Sequence, residues 1–130
     1  MSHSDGEITQ IGPGGDTLPI SSAVVHNGLL YISGHVGFAP GTSLPISDDL
    51  AEQTWQTLRD LDEVMREAGT GRDRIVMMRI HLADVQRDFA AMNQVFREWI
   101  GSHRPARTTV GSELAVAGLL IEIDAVVAVA

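Results

Sequence analysis

The 130-residue chain predicts an α+β domain, a sheet with two amphipathic helices packed on one of its faces. Three observations predict it. Two stretches carry apolar residues at helical spacing, several others alternate at the period of a strand, and the elements run in the order β-β-β-α-β-α-β-β. A chain this long closes one core, so a single domain over residues 1–130 is expected, with a disordered start over 1–6.

Taken in order, Glu7 to Ile11 suits a short edge strand, and Gly12-Pro13-Gly14-Gly15 is a loop that no regular element would tolerate. Ile20 to His26 and Leu29 to Ser33 are apolar runs joined by Asn27-Gly28. That pair predicts a type I′ hairpin turn, in which both central residues take positive φ. Gly34 to Leu44, with Pro40 and two further glycines, reads as a loop. Leu50, Thr54, Leu58, Leu61, Met65 and Ala68 then mark one face of a helix. Ser47, Asp48 and Asp49 supply its N-cap and dipole-favourable residues, and Gly69 is its stop.

Arg74 to Leu82 alternates as a strand, with Val76, Met78, Ile80 and Leu82 on one face and Ile75, Met77, Arg79 and His81 on the other. Val85, Phe89, Met92, Phe96 and Trp99 mark a second helix, running from an Asp84 cap to Gly101. Two last strands fall near Ala106 to Val110 and Leu119 to Val129, the second rich in Val and Ile as a central strand should be. Strand–helix–strand crossovers are right-handed. If both keep that hand along one sheet direction, the helices share a face and the opposite face is left bare. Both registers of the last strand are mostly apolar, so the bare face is expected to be covered by another copy of the chain.

Composition excludes several chemistries. The charge sum is 9 − 17 = −8, and apolar residues make up 44% of the chain, a mix that folds. There is no cysteine, which removes disulfides, thiolate zinc sites and thiol nucleophiles. All nine basic residues are arginine, so neither a lysine Schiff base nor a P-loop is available. An acidic chain is a poor polyanion binder, so no nucleic-acid or membrane partner is expected. With no charged-then-apolar leader and no long uncharged apolar run, the expected location is cytoplasmic.

The candidate chemistry concentrates on two strands. Arg107 opens one of them. On the last strand Glu122 and Asp124 share a face with Leu120 and Val126, opposite Leu119, Ile121, Ile123 and Ala125. Buried carboxylates are costly unless paired. One reading is an Arg107–Glu122 pair that stabilises strands or an interface. The other is a site in which the guanidinium offers its planar fork to a small carboxylate while Glu122 handles a water or proton. The histidines show no ligand spacing, so no metal is expected. His35, following Ser33-Gly34 at a strand end, is the histidine placed near a site. Ser33 lacks the Gly-x-Ser-x-Gly elbow of a hydrolase, and no glycine run fits a dinucleotide fingerprint. Asn93 borders the apolar stripe of its helix, where it could hydrogen-bond backbone or touch a ligand.

Four segments together resemble a known family. They are Tyr31-Ile32-Ser33-Gly34-His35, Phe89-Ala90-Ala91-Met92-Asn93, Arg104-Pro105-Ala106-Arg107-Thr108-Thr109-Val110 and Ile121-Glu122-Ile123-Asp124-Ala125. In this order, over about residues 7 to 129, they resemble the reactive-intermediate deaminase family, the YjgF/YER057c/UK114 or RidA-like proteins. The resemblance implies a chorismate-mutase-like fold with a mixed sheet, and a homotrimer with sites in clefts between subunits. It implies hydrolysis of enamines and imines of the 2-aminoacrylate/2-iminopropanoate type to 2-keto acid and ammonia, without metal or organic cofactor. On it, Arg107 grips the substrate carboxylate, Glu122 positions water, Ser33 and Gly34 line the pocket, Thr109 offers its main-chain carbonyl, and Asn93 walls the site.

Three positions depart from the family pattern. Ile20 follows Pro19 where a tyrosine is usual, His35 replaces a glutamine, and Thr109 replaces a cysteine. These changes suggest an altered pocket, and one alternative is a deaminase of a larger unsaturated amino acid of the 2-aminomuconate type. A non-catalytic module that binds small carboxylates is a further alternative. The endoribonuclease activity ascribed to some members sits poorly with a net charge of −8 and no lysine.

Overall fold

The computed structural model describes residues 6–12 and 18–129. Six strands form one sheet: β1 (Thr9–Ile11), β2 (Ala23–His26), β3 (Leu29–Val36), β4 (Ile75–Leu82), β5 (Ala106–Gly111) and β6 (Ile121–Ala128). Helix α1 (Leu50–Glu67) joins β3 to β4, and α2 (Val85–Ile100) joins β4 to β5. Most of the loop expected at 12–15, and the start over 1–5, lie outside the described residues.

Asn27 and Gly28 have φ of 49° and 79°, so the β2–β3 hairpin closes with both central residues left-handed, as the Asn-Gly pair predicts. Asp49 caps α1 by accepting from the Glu52 amide at 2.9 Å. At the other end Gly69, with φ of 78°, lets the Thr70 amide reach Met65 O at 2.9 Å and its own amide reach Arg66 O at 3.1 Å. Both bonds satisfy last-turn carbonyls, and the positive φ is why glycine stands there. Asp84 caps α2 in the same manner through the Arg87 amide, and Gly101 ends it.

The strand order is β1-β2-β3-β6-β4-β5. β6 runs antiparallel to both β3 and β4, and β5 runs parallel to β4, so the sheet is mixed. Both helices cover one face. Leu58, Leu61, Met65, Met92, Val95 and Trp99 pack with Leu30, Ile32, Met78, Ile80, Ile121 and Ile123 into one core. Each such buried side chain contributes about 1.5–3 kcal/mol relative to leaving it in water. Among the described residues nothing covers the opposite face. It carries Tyr31, 41% exposed, and Val110, also 41% exposed, beside Met77, Val126, Arg79, His81, Glu122 and Asp124.

Several boundaries differ from the sequence expectation. β2 begins at Ala23 rather than Ile20, and β6 covers Ile121–Ala128 rather than Leu119–Val129. β3 runs on to Val36, through what reads as loop, because β6 continues to pair with it beyond a bulge at Ser33-Gly34. Val76 leaves the face of Met78 and is 49% exposed, since the register with β6 shifts between Ile75 and Met77. Phe89 is 42% exposed, outside the stripe assigned to it, while Asp88 is buried and held by Arg87. Phe89 and Phe96 border the stripe because α2 packs at the edge of the sheet, where a helix has neighbours on one side only.

Candidate functional site

The bulge in β3 builds the first hollow. Ser33 and Gly34 stand opposite the single residue Asp124, so the strand bends and the residues after it are re-aimed. Ser33 Oγ donates to Ser21 O at 2.7 Å and the Ser33 amide to Ser22 O at 3.0 Å, which ties the bulge to the segment before β2. A hydroxyl whose proton is already given to a carbonyl positions backbone rather than attacking. Leu18, Ile20, Ser33, Gly34, His35 and Asp60 line a hollow of about 450 Å³ beside the bulge. Ile20, where the family tyrosine would stand, is 51% exposed at its rim.

Glu122 meets Gly34 from the bare face. A Cβ added to Gly34 would lie 2.7 Å from Glu122 Oε2 and 2.9 Å from its Cδ, closer than side-chain atoms approach. The absent side chain at 34 therefore makes the space in which the carboxylate rests. If Glu122 positions water as the family resemblance implies, Gly34→Ala should displace it and cut turnover about tenfold or more while the fold persists. Unaltered kcat/KM in that variant would show that the carboxylate position does not matter.

His35 turns to the helix side. Its Nδ1 lies 2.7 Å from Ser33 O, a carbonyl that can only accept, so Nδ1 carries the proton. Asp60 on α1 is its electrostatic neighbour. Burial holds the Asp60 carboxyl above the ordinary carboxylate value, outweighing the Gln56 hydrogen bond and the attraction of His35 and Arg59. The folded state thus binds this proton more tightly than the unfolded state. Stability from it is present below the ordinary value of 3.8 and is lost as pH rises through the folded value. Asp60→Asn should accordingly raise Tm at pH 7 by about 1–3 °C, a gain that fades as pH falls toward 3.8. A lower Tm for that variant at pH 7 would contradict the sign.

Arg107 lies on the edge strand β5. It is in register with the buried Met78, so its side chain points to the helix face, and its Cζ sits 4.9 Å over the Phe96 ring. Stacking fixes the guanidinium plane and leaves its N–H edge open, and burial lowers its pKa from the ordinary value. Asn93, Phe96, Arg97, Ile100, Arg104 and Arg107 line a second hollow of about 180 Å³. Thr109, two residues on and on the same side, has a buried Oγ1 without a hydrogen-bond partner.

The sequence-derived residues therefore fall into two groups. Ile20, Ser33, Gly34 and His35 line one hollow at the bulge, Glu122 approaches only Gly34, from the bare face, and Asn93 and Arg107 come together with Thr109 nearby. Within one chain Arg107 and Glu122 do not converge. β4 separates their strands, and they point to opposite faces. The pairing of an arginine with a β6 carboxylate occurs instead at Arg79, whose Nε donates to Asp124 Oδ1 at 2.8 Å, with His81 Nε2 3.5 Å from Oδ2. Sequence reasoning missed Asp60, Arg97 and Arg104. A signal existed for Arg97, which has no acidic residue three or four positions away on its helix, unlike Arg66 with Glu63. Among the described residues no three His, Asp or Glu side chains gather as metal ligands, and no helix is long and apolar enough to cross a membrane.

A mixed sheet with both helices on one face, carrying a stacked cation on one edge strand and a carboxylate beside a bulge between its two central strands, defines a small α+β protein. The chain belongs to the endoribonuclease L-PSP family, also known as the YjgF or RidA-like proteins, whose family profile matches residues 16–129. It is 38% identical over 113 residues to Protein mmf2, mitochondrial, of Schizosaccharomyces pombe, covering 85% of this chain and 87% of that one. It is 32% identical over 108 residues to human 2-iminobutanoate/2-iminopropanoate deaminase, covering 83% and 78%. Among solved structures, the conserved Rid-family protein YyfA of Yersinia pestis superimposes with a TM-score of 0.85 at 29% identity, over 95% of this chain and all of that one.

Proposed function

We propose that the protein hydrolyses reactive imines and enamines of small 2-amino acids, releasing a 2-keto acid and ammonia, in sites shared between copies of a homotrimer. The observation that carries this reading is Arg107: a half-buried guanidinium, oriented by Phe96, with no ion pair among the described residues. Such a group is preorganised for a small carboxylate, which it can hold bidentately. The name of the human relative, an iminobutanoate and iminopropanoate deaminase, supports the reaction class.

The chemistry follows from the half-sites. An imine carbon beside a bound carboxylate is electrophilic. Glu122 takes a proton from water as the oxygen attacks the carbon of the protonated imine, giving a neutral carbinolamine. The C–N bond then breaks as the nitrogen gains the proton held by Glu122 and the hydroxyl loses its own, so protonated imine plus water becomes keto acid plus ammonium. Positioning and proton transfer supply the rate, and the main-chain carbonyl of Thr109 is a second acceptor for the water.

Oligomerisation enters for a geometric reason. Arg107 and Glu122 are two strand steps apart, roughly 10 Å across the sheet, and on opposite faces. A second copy that covers the bare face can bring its own Arg107 edge to the Glu122 carboxylate beside Gly34. The test is keto-acid release from 2-aminoacrylate generated in situ, with the mass of the assembly measured in the same preparation. Accelerated release by a trimer is expected; a monomer, or an unaltered rate of release, overturns the reading.

A further inference from the structure

The Arg107 hollow holds more positive charge than one carboxylate needs. Arg97, Arg104 and Arg107 all line it, and none forms an ion pair among the described residues. Arg66, Arg72, Arg79 and Arg87 each hold a carboxylate. In a chain with 17 acidic and 9 basic residues, three unneutralised arginines at one hollow form a local positive field in an otherwise negative molecule. Two of them are held in place by neutral groups. Arg104 Nη1 donates to Gly101 O at 2.6 Å and His103 O at 2.8 Å, which leaves its Nε and Nη2 protons free. Arg107 is held by the Phe96 ring. Backbone carbonyls and a ring face orient a guanidinium without cancelling its charge.

We infer that this hollow takes a ligand with two acidic groups, one on Arg107 and the other shared by Arg97 and Arg104, so that the preferred substrates are imines of dicarboxylic amino acids. This rests on the reading of Arg107 as the carboxylate anchor. A single carboxylate neutralises one guanidinium and leaves two facing the same space. A second carboxylate further along a short chain adds charge-assisted hydrogen bonds to both. Arg97 is exposed, so its share is screened by solvent, and the expected gain is about tenfold in affinity rather than more.

Calorimetry with stable keto acids tests this on the intact protein. 2-Oxoglutarate and 2-oxoadipate are titrated against 2-oxobutanoate and pyruvate. The dicarboxylates are expected to bind about tenfold more tightly, with a steeper loss of affinity as salt rises. In Arg97→Ala the ratio of dicarboxylate to monocarboxylate affinity should fall at least fivefold. In Arg74→Ala, which removes an equal charge outside the hollow, the ratio should stay as in the wild type. Equal affinity for the two classes, or a ratio unmoved by Arg97→Ala, overturns this inference while leaving Arg107 as a carboxylate anchor. Failure of all four acids to bind overturns both.

Discussion

Arg107→Ala should lower kcat/KM for imine hydrolysis about 100-fold or more, the equivalent of roughly 3 kcal/mol of transition-state binding, while the protein stays folded. The fold is expected to survive because the side chain sits on edge strand β5 and packs on a single ring, Phe96. The lost cation–π contact is worth about 1 kcal/mol. Arg107→Lys keeps the charge but not the planar fork, so it should recover only part of the activity. The same variant tests the shared site. Arg107→Ala and Glu122→Gln, each inactive alone, should regain about a quarter of wild-type activity when unfolded and reassembled together. One interface in four then joins an intact Arg107 to an intact Glu122 from the neighbouring copy. If the mixture stays inactive, the two groups do not meet across copies. If Arg107→Ala retains wild-type kcat/KM, the anchor is elsewhere.

The largest effect on stability is expected at Gln53. This side chain is fully buried, yet every polar atom is used. Its Nε2 donates to Ser47 O at 2.8 Å and Gly118 O at 2.9 Å, and its Oε1 accepts from the Leu120 amide at 2.8 Å. One amide thus joins the start of α1 to the loop that leads into β6 and Glu122. The end of β3 presses on the same turn: a Cβ on Gly37 would lie 2.7 Å from Gln53 O and 2.8 Å from its Cα. Gln53→Leu preserves the volume but leaves two carbonyls and an amide without partners. Each costs about 1–3 kcal/mol where water cannot reach it. A total near 3–5 kcal/mol, or a fall in Tm of about 10–15 °C, should appear in thermal unfolding. A fall below about 3 °C would mean that water replaces the lost partners.

The contrast between Gln53 and Leu58 shows where sequence reading stops. Leu58 repeats with Leu61 and Met65 at helical spacing, so its burial follows from period alone. Gln53 sits in the same helix as an ordinary polar residue. Its burial depends on residues 112–120 folding back over it, a contact across more than sixty positions that leaves no local periodicity. The Ser33-Gly34 bulge is similar. Gly34 looks like the end of a strand because glycine breaks the pattern, whereas pairing with β6 carries β3 to Val36.

What the residues alone determined is local and periodic. The Asn27-Gly28 turn, the caps at Asp49 and Asp84, the stop at Gly69 and the alternation along β6 each arise from neighbours within a few positions, whose sterics and hydrogen bonds are the same in any fold. The grouping of chemical side chains is a different matter. Which face Arg107 takes, its separation from Glu122 by an intervening strand, and the company of Arg97 and Arg104 follow from the order in which strands pair. Strand order is set by long-range packing, because a strand's own residues fix only which of them share a side, not which neighbour lies beside them.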